Sequence, residues 1–231
     1  MGEERRTGAV ESVNVGRAEE NPARPALPTG IRKRPVAGDV GIREPGPRRG
    51  GLGSGVAGDF IGNSRFHGGT DQAVYAFARE ELDHWERELG REIPNGSFGE
   101  NLTLVGVDVD GARLGDRWRI GDVLLQVTDA RVPCGTFRAA MQVRGWLRRF
   151  TERGRSGAYL KVLEPGTVRA GLPVEVVRRA AHGVGVVDAF RARTTARERL
   201  PELLAAGEDL CEQLRREVEQ AERQRPRAAG R

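Results

Sequence analysis

The sequence predicts an α+β chain, mainly β with helices, whose body of short strands is followed by a small helical appendage. Three observations carry this reading. Glycine and proline number 32 and 12 in 231 residues, so the chain turns often, as short strands require and a helical bundle does not. Apolar residues alternate in short runs through most of the chain. After His182 they recur at spacings of three and four, the pattern of amphipathic helices.

The elements run in order. Ala9–Val15 alternates and forms a first strand. Three prolines between Asn21 and Gly30 make a loop. Ile31–Ile42, interrupted by Pro35 and Gly38-Asp39, is expected to be a short hairpin or edge pair. Residues 44–58, rich in Gly, Pro and Arg, are expected to be a flexible loop. Ala73–Phe77 is a compact apolar strand. Leu82, Trp85 and Leu89 line one face of a helix over Arg79–Leu89, which Gly90 stops. Leu102–Val105 is a strand, and Arg117–Ile120 with Val123–Thr128 reads as a hairpin. A helix runs through Phe137–Met141 and then Trp146–Phe150. Tyr159–Leu163 and Val174–Val177 are the last two strands. Thr195 and Glu198 match a capping box. Leu200, Leu203 and Leu204 form one apolar stripe, and Leu210, Leu214 and Val218 a second, which makes a helical hairpin. The expected divisions are a disordered terminus at 1–8, a body at 9–182, the appendage at 183–222 and a disordered tail at 223–231.

Composition narrows the function classes. At 38% hydrophobic the chain can bury one sizeable core. The net charge is +5, and the cations are nearly all Arg; lysine occurs only at Lys33 and Lys161. This chain-wide bias is read as composition, not as ligand binding. Cys134 and Cys211 make neither a disulfide framework nor a CxxC pair, so a reducing compartment is expected. Residues 1–30 hold no apolar signal region, and no run approaches the roughly 18 apolar residues of a spanning helix. The expected location is the cytoplasm, away from membranes. Arg144–Arg155 carries five arginines with Trp146 and Phe150 among them. It is read as a solvated helix face, since no nucleic-acid fold signature accompanies it.

The chemistry centres on Arg131-Val132-Pro133-Cys134, at the end of the Val123–Thr128 strand. A thiol beside a fixed cation is a candidate thiolate, and so either a nucleophile or a soft metal ligand. His67-Gly68-Gly69 precedes the Ala73–Phe77 strand, where glycines let backbone amides approach a ligand closely. Phe98-Gly99-Glu100-Asn101 offers an acid and an amide where a loop enters a strand. Gly115-Asp116 and Gly121-Asp122 are read as structural turns. Cys211, flanked by Leu210 and Leu214, is read as packing.

The set and order of these segments resemble the MOSC domain, the family of the molybdenum-cofactor sulfurase C-terminal domain. The likeness is strongest to bacterial stand-alone members linked to resistance against hydroxylaminopurine bases. It rests on His67 to Tyr75, Phe98 to Thr103, Gly115-Asp116, Leu125 to Thr128 and Arg131 to Cys134. Ser156 to Tyr159, Pro165-Gly166 and Val186 to Phe190 extend it, the last resembling a three-helix appendage. The resemblance implies a β-barrel body and a molybdenum cofactor, a pyranopterin whose dithiolene supplies two sulfurs while a protein cysteine supplies a third. Cys134 stands at the matching place as metal ligand. The cofactor's phosphate would suit Arg131 and the amides of Gly68 and Gly69. Asn101 and Thr128 are further cofactor-binding candidates. The implied reaction is two-electron reduction of the N–O bond of a small N-hydroxylated substrate, with an unidentified electron donor and with His67 or Glu100 supplying a proton. Two departures stand out. The family often has a basic residue where Gln72 stands, and another shortly after the cysteine, where Gly135-Thr136-Phe137 has none. The competing readings are a sulfur carrier using a Cys134 persulfide, a basic nucleic-acid-binding module and a cysteine hydrolase pairing Cys134 with His67. The chain is expected to act as a monomer or homodimer.

Overall fold

A computed structural model describes residues 8–224. The expected disordered ends lie almost wholly outside the described residues; Gly8 leads into the first strand, and Arg223 and Gln224 continue the last helix. The strands are β1 (Ala9–Gly16), β2 (Lys33–Pro35), β3 (Val40–Ile42), β4 (Val74–Ala78), β5 (Leu102–Val105), β6 (Arg117–Ile120), β7 (Val123–Ala130), β8 (Ala158–Glu164), β9 (Gly166–Val168) and β10 (Glu175–Arg178). The helices are α1 (Arg79–Leu89), α2 (Gly135–Met141), α3 (Trp146–Arg153), α4 (Val186–Thr194) and α5 (Glu212–Gln224). A short 3-10 turn occurs at Thr70–Gln72, and a longer 3-10 segment, kinked at Gly207, at Arg197–Asp209. No described helix is long and apolar enough to cross a membrane.

Eight strands form one sheet in the order β10-β6-β7-β8-β4-β5-β1-β2, and β3 pairs separately with β9. Only β4 and β5 run parallel. β4 and β7 are buried along their whole length, which explains why β4 reads as an unbroken apolar run, while β7 buries Gln126, Thr128 and Asp129 along with its apolar residues. The sheet rolls up but is not a closed ring of strands. It comes round where the start of β1, the strand next to edge strand β2, bonds to the segment ahead of β10: Val10 donates to Leu172 at 2.9 Å, and Val174 donates to Gly8 at 2.8 Å. The expected barrel is therefore a rolled sheet joined by a few backbone bonds.

Local differences from the sequence reading have identifiable causes. β2 and β3 do not pair as a hairpin; β2 adds to β1, and β3 crosses to β9. Gly38, with φ 78°, turns the chain away between them. β9 is three residues long, too short to show a period. The 135–153 region splits into α2 and α3 because Gln142 adopts left-handed backbone, φ 55°. The N-cap of the segment after α4 is Ala196 and not the expected Thr195. Thr195 ends α4, and the segment after it, interrupted by Pro201 and Gly207, winds as 3-10. The cap appears instead at the start of α4, where the Gly185 amide donates to Asp188 Oδ2 at 2.9 Å.

The helices pack over an aromatic core. The Phe98 ring lies 5.1 to 5.9 Å from those of Phe77, Phe137, Trp146 and Phe150. Phe190 of α4 joins through Phe150, so the appendage shares this core. Arg178 also clamps Asp209 with two bonds of 2.8 and 2.9 Å, and His182 braces the linker through the Leu114 carbonyl. Of the basic stretch, Arg148, Arg149, Arg153 and Arg155 all meet carboxylates, on Glu152, Glu88, Glu81 and Asp108.

Because Phe98 is fully buried between four rings, Phe98→Ala should lower unfolding stability by about 3–5 kcal/mol in urea titrations. A loss below about 1 kcal/mol would contradict this core.

Candidate functional site

Strand order builds the site. Across β7-β8-β4-β5-β1-β2, the adjoining residues at one rim of the sheet come from separate motifs. Ala130, the last residue of β7, pairs with Ala158, so Arg131 to Cys134 leave the sheet beside Tyr159. Tyr159 pairs with Tyr75 of β4, their rings 5.2 Å apart. Tyr75 and Asn101 bond in both directions: the Asn101 amide donates to the Tyr75 carbonyl at 2.7 Å, and Asn101 Oδ1 accepts from the Tyr75 amide at 3.2 Å. On β2, Lys33 pairs with Gly16. A cavity of about 550 Å³ opens on this rim, lined by Cys134, Arg131, His67, Gly68, Asn101 and Lys33 among others.

Cys134 is half-buried and unbonded to another cysteine. It occupies the extended position just ahead of α2, and its carbonyl accepts from Arg138 at 3.0 Å. Arg131 is 4% exposed. Its guanidinium lies 4.1 Å from the Phe137 ring and 5.3 Å from the Tyr75 ring. No carboxylate or other acceptor among the described residues meets it, and Nη1 is sealed from solvent without a partner. A buried cation in that state is held by the π-faces and by the longer-range pull of Cys134 and Glu100, and it keeps a demand for an anion in direct contact.

His67 lies on the same wall. Burial first, and then the charges of Arg131, Arg48 and Lys33, push its pKa down to about 4. The imidazole is therefore neutral at physiological pH. Gly68 and Gly69 both have φ 80°. A side chain on Gly68 would strike the Gly53 carbonyl, and one on Gly69 the Arg48 backbone, so glycine is required twice. Only Gly68 lines the cavity; the Gly69 amide is bonded to the Gly53 carbonyl at 2.8 Å.

Lys33 is the site residue that the sequence motifs leave out. It is 7% exposed and forms an ion pair with Asp59, whose side chain is fully buried. Asp59 also accepts from the Gly16 amide at 2.8 Å, Ser54 Oγ at 2.7 Å and Asn101 Nδ2 at 2.9 Å. Burial pulls the Lys33 pKa down and Arg131 adds to this, while Asp59 and Glu100 oppose it. Asn101 thus holds both β4 and the carboxylate that orients Lys33.

Two expected site residues stand behind the wall. Glu100 is fully buried and does not line the cavity. Its carboxylate accepts from the amides of Gly96 and Phe98 and from Thr103 Oγ1, and burial raises its pKa. Thr128 Oγ1 lies 2.6 Å from the Asp71 carbonyl and 3.0 Å from that of Tyr159, tying the 3-10 turn to β8. The appendage also reaches the cavity, through Arg193 of α4 and Gln213 of α5. Arg193 donates to Asp129 at 2.8 Å and to Glu217 at 2.9 Å, and Gln213 accepts from Arg48 at 2.6 Å. Loop 44–58 is thereby tied to the appendage. Cys211 is buried away from this wall, and burial pushes its thiol up to about 12, which makes it inert.

Known proteins resemble this chain in sequence and fold. A family model described as the MOSC domain matches residues 63–175. The chain is 33% identical over 165 residues to the uncharacterized protein YflK of Bacillus subtilis (strain 168), spanning 71% of each. It is 31% identical over 130 residues to a protein named "Reductase" from Gibberella moniliformis, spanning 54% of this chain and 23% of that one. The crystal structure of YiiM from Geobacillus stearothermophilus matches with a TM-score of 0.73 at 26% identity, covering 93% of this chain and 98% of that one. Lys33, Arg193 and Gln213 lie outside the segment that the family model matches.

The neutral imidazole is directly testable. In NMR titration His67 should have its midpoint near pH 4. Because its folded pKa lies below the unfolded value of about 6.5, acid favours the unfolded chain. His67 should therefore weaken the fold as pH falls from about 6.5 towards 4, and His67→Gln should blunt that loss. A midpoint near 6.5 would contradict the half-buried, cation-flanked placement.

Proposed function

The chain belongs to the MOSC domain family, and from that premise we propose that it reduces N-hydroxylated compounds of the hydroxylaminopurine type, using a molybdenum-bearing pyranopterin bound at Cys134. The observation that carries this reading is the pairing of a half-buried free thiol with an unpartnered buried guanidinium on one cavity wall.

The residues present fit such a group. Among the described residues there is no group of three or more His, Cys, Asp or Glu able to hold a metal ion, so a metal at Cys134 needs ligands brought by a cofactor. A thiolate is a suitable soft donor for one that arrives with sulfur ligands of its own. Arg131 suits a phosphate or another anionic oxygen, and Lys33 adds a second cation on the same wall. The protein named "Reductase" among the relatives supports redox chemistry over sulfur carriage.

When bound, the cofactor supplies the electron pair for N–O cleavage, replenished by an external reductant. The net change consumes two electrons and two protons, converting R–NH–OH into R–NH2 and water. The protein's part is to orient the substrate and provide protons. The Lys33 ammonium, held by Asp59, is a proton source that faces the cavity. His67, neutral at working pH, serves as a hydrogen-bonding group and not as an imidazolium acid. Glu100 acts through the loop it pins, since its oxygens are engaged by that loop. Free Cys134 and Cys211 suit a reducing compartment such as the cytoplasm.

Protein made in a host that synthesises the cofactor should carry close to one molybdenum per chain and reduce a hydroxylaminopurine. Cys134→Ser should lose at least about tenfold in metal content while remaining folded. Equal metal content in the two proteins would overturn the assignment. Thiocyanate release on cyanide treatment, with no molybdenum present, would favour the persulfide carrier instead.

A further inference from the structure

Five buried side-chain polar atoms among the described residues lack any hydrogen-bond partner, and two of them belong to cavity-lining residues: Arg131 Nη1 and Gln72 Oε1. Gln72 is 8% exposed, at the end of the 3-10 turn after Gly69. Its backbone amide donates to the Gly69 carbonyl at 2.9 Å, but neither atom of its carboxamide is bonded to any described residue. In this orientation of the amide the sealed oxygen stays unmet. An unmet buried amide disfavours the fold by about 1–3 kcal/mol, so its presence on a cavity wall points to a ligand that satisfies it.

We propose that Gln72 is a specificity-determining residue, whose carboxamide pairs with the edge of a planar heterocycle that presents an N–H donor beside an acceptor. A carboxamide is complementary to such an edge, as when it meets N6 and N7 of adenine. Tyr75 and Tyr159 also line this wall, their ring centroids 5.2 Å apart, and add aromatic surface to it. This deepens the proposed function, resting on the cavity as the substrate site, and it makes the 6-amino edge of a purine the part that is read.

The test uses the full chain from a cofactor-making host, with molybdenum per chain measured in every preparation. Adenine and hypoxanthine are the probes, and binding is measured by calorimetry. Adenine offers a donor and an acceptor on that edge, whereas hypoxanthine offers two acceptors. The wild-type protein should bind adenine about tenfold or more tightly than hypoxanthine. Gln72→Lys, which presents donors only, should reverse the preference, an outcome that loss of packing would not produce. If Gln72→Lys fails to fold, the near-isosteric Gln72→Met, which offers neither a donor nor a strong acceptor to that edge, carries the test and should abolish the preference for adenine. No preference in wild type, or an unchanged preference in either folded variant, would overturn the proposal. So would a Gln72→Met protein that loses molybdenum but keeps the adenine preference, because the carboxamide would then serve the cofactor. Wild-type protein that lacks molybdenum yet discriminates between the bases would sink the reductase reading and leave this one standing.

Discussion

A buried guanidinium without a carboxylate is the constraint around which the site is arranged. Arg131 sits between the faces of Phe137 and Tyr75, and no ion pair offsets its desolvation. Such a charge persists because the surrounding structure holds it in place: β7 ends one residue earlier, and Pro133 keeps the segment extended into α2. The same charge pushes the pKa of His67 and Lys33 down. It leaves the cavity electropositive and short of an acceptor, a state that an anionic ligand relieves and that repels another cation.

Topology makes the arrangement possible. The three motifs, His67 to Gly69, Phe98 to Asn101 and Arg131 to Cys134, are far apart in sequence, yet strand order sets them side by side, and the single parallel pairing, β4 with β5, brings Asn101 against Tyr75. Asn101 then passes the constraint on through Asp59 to Lys33 on β2. The helical appendage completes the wall. Arg193 bonds to Asp129, two residues before Arg131, and to Glu217 of α5, so the outermost helix stiffens the residue next to the thiol's own segment.

Much of this is legible in the residues. α1 matches its periodicity from Arg79 to Leu89, because an amphipathic stripe and a glycine stop are local signals. The strands with long apolar runs are equally plain. The elements that escape have no local signature. β9 is too short for a period, and β2 and β3 pair with distant partners that only the rolled sheet brings near. In the site, motif order identifies Cys134, Arg131, His67, Gly68 and Asn101, which share the cavity. It does not separate residues that face the cavity from those that brace it, so Glu100, Thr128 and Gly69 fall in with them although their polar atoms are turned to the protein. Lys33 carries one hint: it is one of two lysines among 38 basic residues. The open state of Gln72 depends on what its neighbours fail to offer, which no sequence reveals.

The central claim is that Arg131 is buried for an anion and not for the fold. Thermal unfolding of wild type and Arg131→Met, each with and without inorganic phosphate, tests it most directly. Without phosphate the variant should be at least as stable as wild type, since an unpaired buried charge has been replaced by an apolar side chain. Phosphate should raise the melting temperature of wild type and leave the variant unmoved. A variant that is much less stable without phosphate, or that gains as much from phosphate as wild type, would show that the guanidinium serves packing alone.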